Sequence, residues 1–294
     1  MGAPEVLVLG EALVDIVETE GGETEHVGGS PANVAVGVAR LGVAVRLATR
    51  LGRDERGERI ARHVRDAGAD VAEGSWTDAP TDTARARIRP DGSAEYRFDV
   101  AGVVPPVSPG DAALVHTGSI ALFLDPGGEA CLAALEAARG SAIVTVDPNI
   151  RPALVGSRET ALVRFARAAA AADLVKLSDE DAEWLWPDAD LRTVLETIAG
   201  LGAAVVVITR GGDGAIGRGR DGAVVEVDGV RVTVADTIGA GDSFMASLIA
   251  TLVDRGVPAE ADALAEALRV AARAAAITVS RPGANPPTRA ELED

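Results

Sequence analysis

Short, mostly apolar runs recur along the chain at Val6 to Leu9, Val43 to Ala48, Leu114 to Thr117, Ile143 to Val146, Leu174 to Leu177 and Val205 to Thr209. Runs of this length without polar alternation predict strands buried on both faces. Helix-length segments rich in Ala, Leu and Arg lie between them. Strand and helix in repetition predict an α/β fold whose mostly parallel sheet is covered on both sides, with ligands at the carboxyl ends of the strands.

Two places break this rhythm. Thr83 to Arg89 and Ala94 to Phe98 alternate strictly and are joined by Pro90-Asp91-Gly92-Ser93, which predicts a β-hairpin. Val14 to Glu18 and Glu23 to Val27, around Gly21-Gly22, predict a second hairpin. Together the stretches at about 14–28 and 82–100 are expected to form a small antiparallel sheet inserted in the body. Such an insertion suits a lid, and an ordinary surface hairpin explains the alternation equally well. Toward the C-terminus, alternating strands at Ala223 to Val227 and Arg231 to Val234 precede two long helical patterns, about 241–255 and 260–279. No linker-like stretch and no internal repeat interrupts the 294 residues, so 1–294 reads as a single domain.

Composition narrows the chemistry. With 47% apolar and 25% charged residues the chain is expected to fold around a core. Its net charge of −17 argues against nucleic acid and anionic membranes as partners. The start, Met1 to Glu5, lacks a positively charged leader, and no apolar run approaches the roughly 20 residues needed to span a bilayer, so a cytoplasmic location is expected. A lone Cys131 cannot close an internal disulfide, and His26, His63 and His116 make no cluster at zinc-ligand spacing. The chain has one lysine, Lys176, and no glycine precedes it, which excludes a Walker A loop. The Val-Ala-Ile-Lys pattern of protein kinases is also missing.

Three glycine-rich strings remain. Gly212-Asp213-Gly214-Ala215-Ile216-Gly217 matches the dinucleotide fingerprint literally, but alternating residues and not a helix follow Gly217, so that reading is set aside. In Asp236-Thr237-Ile238-Gly239-Ala240-Gly241-Asp242-Ser243, a strand expected at Val232 to Ala235 passes through small residues into a helix carrying Phe244, Met245, Leu248 and Ile249. Bare N–H groups at that helix start form an anion hole, and Asp242 would stand beside a bound phosphate. There it can take a proton from an attacking hydroxyl, or it can merely complement the helix dipole. In Gly28-Gly29-Ser30-Pro31-Ala32-Asn33, Ser30 suits an N-cap and Pro31 a first helical residue, while Asn33 and the bare glycines suit sugar hydroxyls. Upstream, Glu11 and Asp15 put two carboxylates at the end of the first strand.

These strings resemble the two signatures of the ribokinase/PfkB sugar-kinase family. Gly28, Gly29, Asn33, Ala35, Ala39, Leu41 and Gly42 match the first, and Asp236, Thr237, Gly239, Ala240, Gly241 and Asp242 the second. The resemblance implies a ribokinase-like three-layer sandwich with a small β-lid and ATP-dependent phosphorylation of a sugar. It implies that Asp242 is the catalytic base and that Gly239, Ala240 and Gly241 hold the transferring phosphoryl group. It places Asp15, Gly28, Gly29, Asn33, Tyr96, Phe98 and Arg151 at the sugar, and Lys176, Ser178, Thr209, Gly211, Gly214 and Asn285 at the nucleotide. Magnesium is implied near Asp181, through a water, in an altered Asn-x-x-Glu that reads Ser178-Asp179-Glu180-Asp181. A potassium site is matched by Asp236, the backbone of Ile238 and the segment 278–283, although Pro287 stands where some members offer a serine oxygen. Homodimers through the lid are common in the family.

Fructose leads as the substrate, because Gly10 to Asp15, Asp147 to Pro152 and Arg281 to Pro287 resemble the fructokinase-like branch; ribose and 2-keto-3-deoxygluconate stay open. A phosphosugar would need Arg85, Arg87, Arg89 or Arg97 as its grip, and a 2-keto-3-deoxy acid would need an arginine where Asp99 follows Phe98. A sugar or nucleotide sensor without turnover is the reading from another class, and the intact Asp242 argues against it.

Overall fold

Strands that must be apolar on both faces need a core on each side, and both cores are present in the computed structural model, which describes residues 5–19, 21–88 and 94–293. In chain order the strands are β1 (Glu5–Leu9), β2 (Leu13–Thr19), β3 (Gly22–Gly28), β4 (Ala44–Ala48), β5 (Leu51–Gly52), β6 (Asp70–Val71), β7 (Trp76–Thr77), β8 (Thr83–Ile88), β9 (Ala94–Asp99), β10 (Leu114–Gly118), β11 (Ile143–Asp147), β12 (Leu174–Ser178), β13 (Val205–Thr209), β14 (Ala215–Arg218) and β15 (Val224–Val227). The α-helices are α1 (Ser30–Arg40), α2 (Glu55–Asp66), α3 (Ser119–Phe123), α4 (Gly127–Ala138), α5 (Arg158–Ala171), α6 (Asp179–Leu185), α7 (Leu191–Leu201), α8 (Ala240–Arg255), α9 (Ala261–Val279) and α10 (Arg289–Glu293).

One nine-stranded sheet runs β15-β14-β13-β12-β11-β10-β1-β4-β6. All six apolar runs are in it as parallel neighbours, and β14 and β15 extend it antiparallel. Along β1, Val6 and Val8 enter a core shared with α1, α2, α8 and α9, while Leu7 and Leu9 enter a second core under α4, α5, α6 and α7. The fold is therefore the α/β three-layer sandwich expected of ribokinase-like kinases.

The two hairpins join edge to edge as a smaller sheet, β3-β2-β8-β9. It was expected to be antiparallel throughout, but β2 and β8 pair in parallel, with Val14 opposite Thr83. Both strands leave the body in the same direction, so their shared edge can only be parallel. Val14 and Ile16 bury one face of this outer sheet. By register, Asp15, Val17, His26, Ala84, Ala86, Tyr96 and Phe98 share the other face. The turn assigned to Pro90 to Ser93, and Arg89, lie outside the described residues.

The strand expected at Arg231 to Val234 does not form. Its alternation fits a strand, but it pairs with no sheet edge among the described residues, and Val230, Val232 and Val234 stay exposed. Only at its end do the Ala235 and Asp236 N–H groups reach a partner, the Val279 carbonyl. Propensity without a neighbour does not make a strand.

Candidate active site

Two helix N-termini meet at Asp242, which is 8% exposed. At α8 the N-cap is Gly239, in the left-handed conformation at φ 77°. A Cβ there would stand 2.6 Å from that of Ala284, so only glycine fits the turn. The Ala240 N–H turns back to the Thr237 carbonyl at 3.4 Å. Among the described residues no acceptor meets the Gly241 and Asp242 N–H groups, and they remain available to an anion at the positive end of the helix. Asp236 fixes the approach. One oxygen accepts from the Ile238 N–H at 3.0 Å and the other from the Gly283 N–H at 2.9 Å, and these bonds hold its carboxyl below the usual range.

At α1 the sequence predicts Ser30 as cap and Pro31 as first helical residue, and the structure shifts both by one. Gly29 is the N-cap, at φ 101°, Ser30 opens the helix, and no side chain caps it. The freed Ser30 hydroxyl donates to Asp242 Oδ1 at 2.6 Å, and Asn33 Nδ2 donates to Oδ2 at 2.8 Å. A Cβ on Gly28 would stand 2.0 Å from Asp15 Oδ2, so the carboxylate occupies the space that a side chain there would take. Asp15 thus lies folded against the glycine pair. Burial raises its pKa, opposed by the charges of His26 and Arg151. Glu11, the other carboxylate after the first strand, is buried, accepts from the Ala121 N–H at 3.0 Å, and burial pushes it up to about 7.

Behind the site, the ends of β11 and β12 carry a buried ion pair in which Lys176 Nζ donates to Asp147 Oδ2 at 2.8 Å. Burial raises Asp147. Burial would lower Lys176, but the Asp147 carboxylate beside it outweighs that and raises it. Asp147 Oδ1 is buried with no hydrogen-bond partner. A Cβ on Gly241 would come 3.2 Å from Lys176 Nζ, so the ammonium lies directly beside the anion-binding turn. Ser178 and Asp181 form a capping box at the start of α6. Asp181 Oδ1 also accepts from the Ile150 N–H at 2.7 Å, so both of its oxygens are engaged by main-chain donors.

On the expected nucleotide side, Thr209 ends β13 and Gly211 and Gly214 take positive φ in the turn before β14. Gly217 lies within β14, and no helix opens there, in accord with setting the dinucleotide fingerprint aside. Asn285, expected on the same side, follows Ala284, whose Cβ lies against Gly239, and its side-chain oxygen accepts from Arg40 at the far end of α1, at 2.7 Å. Tyr96 and Phe98 stack in parallel, centroids 6.1 Å apart, on the face that carries Asp15. Arg151 is exposed and bonds to Asn149. Arg85, Arg87 and Arg97 lie on the opposite face, where Arg85 pairs with Glu18 and Glu23 and Arg97 with Asp99.

Sequence reasoning missed Ser30 as a site residue. The signal was present in the preceding Gly28-Gly29, since a glycine able to cap releases the next hydroxyl. Among the described residues no three potential ligands gather into a direct metal cluster, and no helix is long and apolar enough to cross a membrane.

Residues 3–291 match the model of the pfkB family carbohydrate kinases. A fructokinase of Rhizobium leguminosarum bv. trifolii is 33% identical over 260 residues, covering 84% of this chain and 79% of the relative. Among solved structures, a fructokinase from Xylella fastidiosa with bound ATP superposes with a TM-score of 0.84 at 27% identity, covering 98% of this chain and 97% of its own. A fructokinase double mutant from Vibrio cholerae O395 with fructose, ADP and potassium ion gives 0.84 at 26% identity, with coverages of 99% and 97%.

Proposed function

Since the chain belongs to the pfkB family of carbohydrate kinases and uses ATP to phosphorylate a sugar, we propose that its sugar is fructose and that Asp242 is the base of the reaction. The observation that carries the reading is the position of Asp242. It stands buried in the turn that offers free N–H groups to an anion, with its carboxylate held by the first turn of a second helix.

In this reading Asp15, Gly28, Gly29 and Asn33 bind the sugar, Arg151 borders it, and the outer sheet carrying Tyr96 and Phe98 closes over it as a lid. Asp242 orients the acceptor hydroxyl and takes its proton. The hydroxyl oxygen bonds to the γ-phosphorus, and the bond to the ADP oxygen breaks in line. A loose transition state makes positioning more important than base strength. The turn at Gly239, Ala240 and Gly241 holds the phosphoryl group, with the free Gly241 and Asp242 N–H groups receiving its charge and the Lys176 ammonium alongside. Ser178, Thr209, Gly211 and Gly214 line the nucleotide.

Magnesium fits the carboxylates present when held through water. Asp147 has a buried oxygen without a donor, Asp181 lies beside it, and a hydrated ion needs only one or two carboxylates plus the nucleotide phosphates. When bound, the ion neutralises phosphate charge. Asp236 and the Ile238 carbonyl would take potassium, a homodimer would form through the lid, and ATP chemistry suits the cytoplasm.

The test is ADP release from Mg·ATP with fructose, ribose, 2-keto-3-deoxygluconate and phosphosugars, with and without potassium. Fructose is expected to give the highest kcat/KM. A better rival would replace fructose as substrate, and sugar binding without ADP release would favour a sensor.

A further inference from the structure

The geometry points to Ser30 as a positioning residue that fixes the orientation of Asp242, an inference that rests on Asp242 being the base. A serine beside a helix start ordinarily caps its own helix. Here Gly29 occupies the cap position, at a φ of 101° where a Cβ would meet the Glu11 carbonyl oxygen at 2.6 Å. The serine hydroxyl is left without a local task and crosses to α8, donating to Asp242 Oδ1 at 2.6 Å.

The two donors on Asp242 are not equivalent. Ser30 sits in the first residue of α1 on a short side chain, behind a glycine that cannot move toward Glu11. Asn33 lies on the next oxygen with a longer side chain whose amide can turn to a sugar hydroxyl. An incoming acceptor therefore displaces Asn33 and meets Oδ2, while Ser30 keeps Oδ1. Held at one oxygen, the carboxylate cannot rotate away. In the step itself the acceptor proton passes to Oδ2, the acceptor oxygen bonds to phosphorus, and the electron pair of the broken P–O bond leaves on ADP.

The test compares wild type, Ser30→Ala, Ser30→Thr and Asp242→Asn in kcat and KM with the sugar that turns over best. Ser30→Ala is expected to lower kcat about tenfold, the scale of one hydrogen bond to a charged group, with KM for the sugar within about twofold. Ser30→Thr, which keeps the hydroxyl, should restore kcat. A kcat in Ser30→Ala within about twofold of wild type overturns the inference, and so does a KM that rises as much as kcat falls. A kcat lowered equally in Ser30→Thr overturns it as well. Turnover retained by Asp242→Asn would sink the assignment of the base and not that of Ser30 alone.

Discussion

The helices α1 and α8 both begin in glycine and both end their first turn at the same carboxylate, yet they use glycine for different purposes. At α8 the bare Gly239 turn leaves main-chain N–H groups free for an anion. At α1 the glycines make room for neighbours, Asp15 over Gly28 and the Glu11 carbonyl under Gly29, and the helix lends side chains. The beneficiary of a glycine is thus set by what lies against it in three dimensions. A string of glycines in a sequence marks a close approach without saying whose.

That contrast can be broken most severely at the shared carboxylate. Asp242→Asn should lower kcat by about 10³-fold while circular dichroism and sugar binding persist. Retained turnover would reduce both helix starts to architecture. The support beneath α8 is tested by Lys176→Met, which leaves Asp147 buried and unpaired and should destabilise the fold by roughly 3–5 kcal/mol in denaturant titration. A loss below about 1 kcal/mol would mean that the ion pair does not brace the turn.

The support beneath α1 is sharpened by pH. Glu11 is held at about 7 against a usual 4.5, so the folded state keeps its proton through that window. Its contribution is fully present below about 4.5 and is lost as pH rises toward 7, by on the order of 3 kcal/mol. Glu11→Gln should flatten this slope, and a variant as pH-dependent as wild type would move the cause elsewhere. The smallest effect separates the two glycine uses directly. Gly28→Ala must displace Asp15 and should raise the sugar KM about tenfold with kcat little changed, whereas Gly239→Ala should act on kcat. Equal effects on both parameters would erase the distinction.

Sequence pattern carried the six parallel strands well, because a strand buried on both faces has no polar residues to obscure it. The outer sheet was legible as hairpins, but its parallel β2–β8 seam was not, since strict alternation describes a face and says nothing of which edge pairs with which. Arg231 to Val234 alternates as well as β15 does and pairs with nothing described. Within the site, Asp242, Asn33, Asp15 and the glycine turns could be read from short strings whose members act locally. The link from Ser30 was not legible because its partner, Asp242, lies more than two hundred residues away in the chain. Lys176 was legible as unusual by its solitude, and its union with Asp147 was not.

That solitude has a practical side. With the only lysine of the chain sealed against Asp147 at 4% exposure, the folded protein presents no side-chain amine at its surface. Amine-directed dyes, acetyl donors and lysine-specific proteases find no side-chain target until the fold opens. Isotope-labelled lysine would place a single reporter beside the turn that receives phosphate, in a spectrum free of overlap.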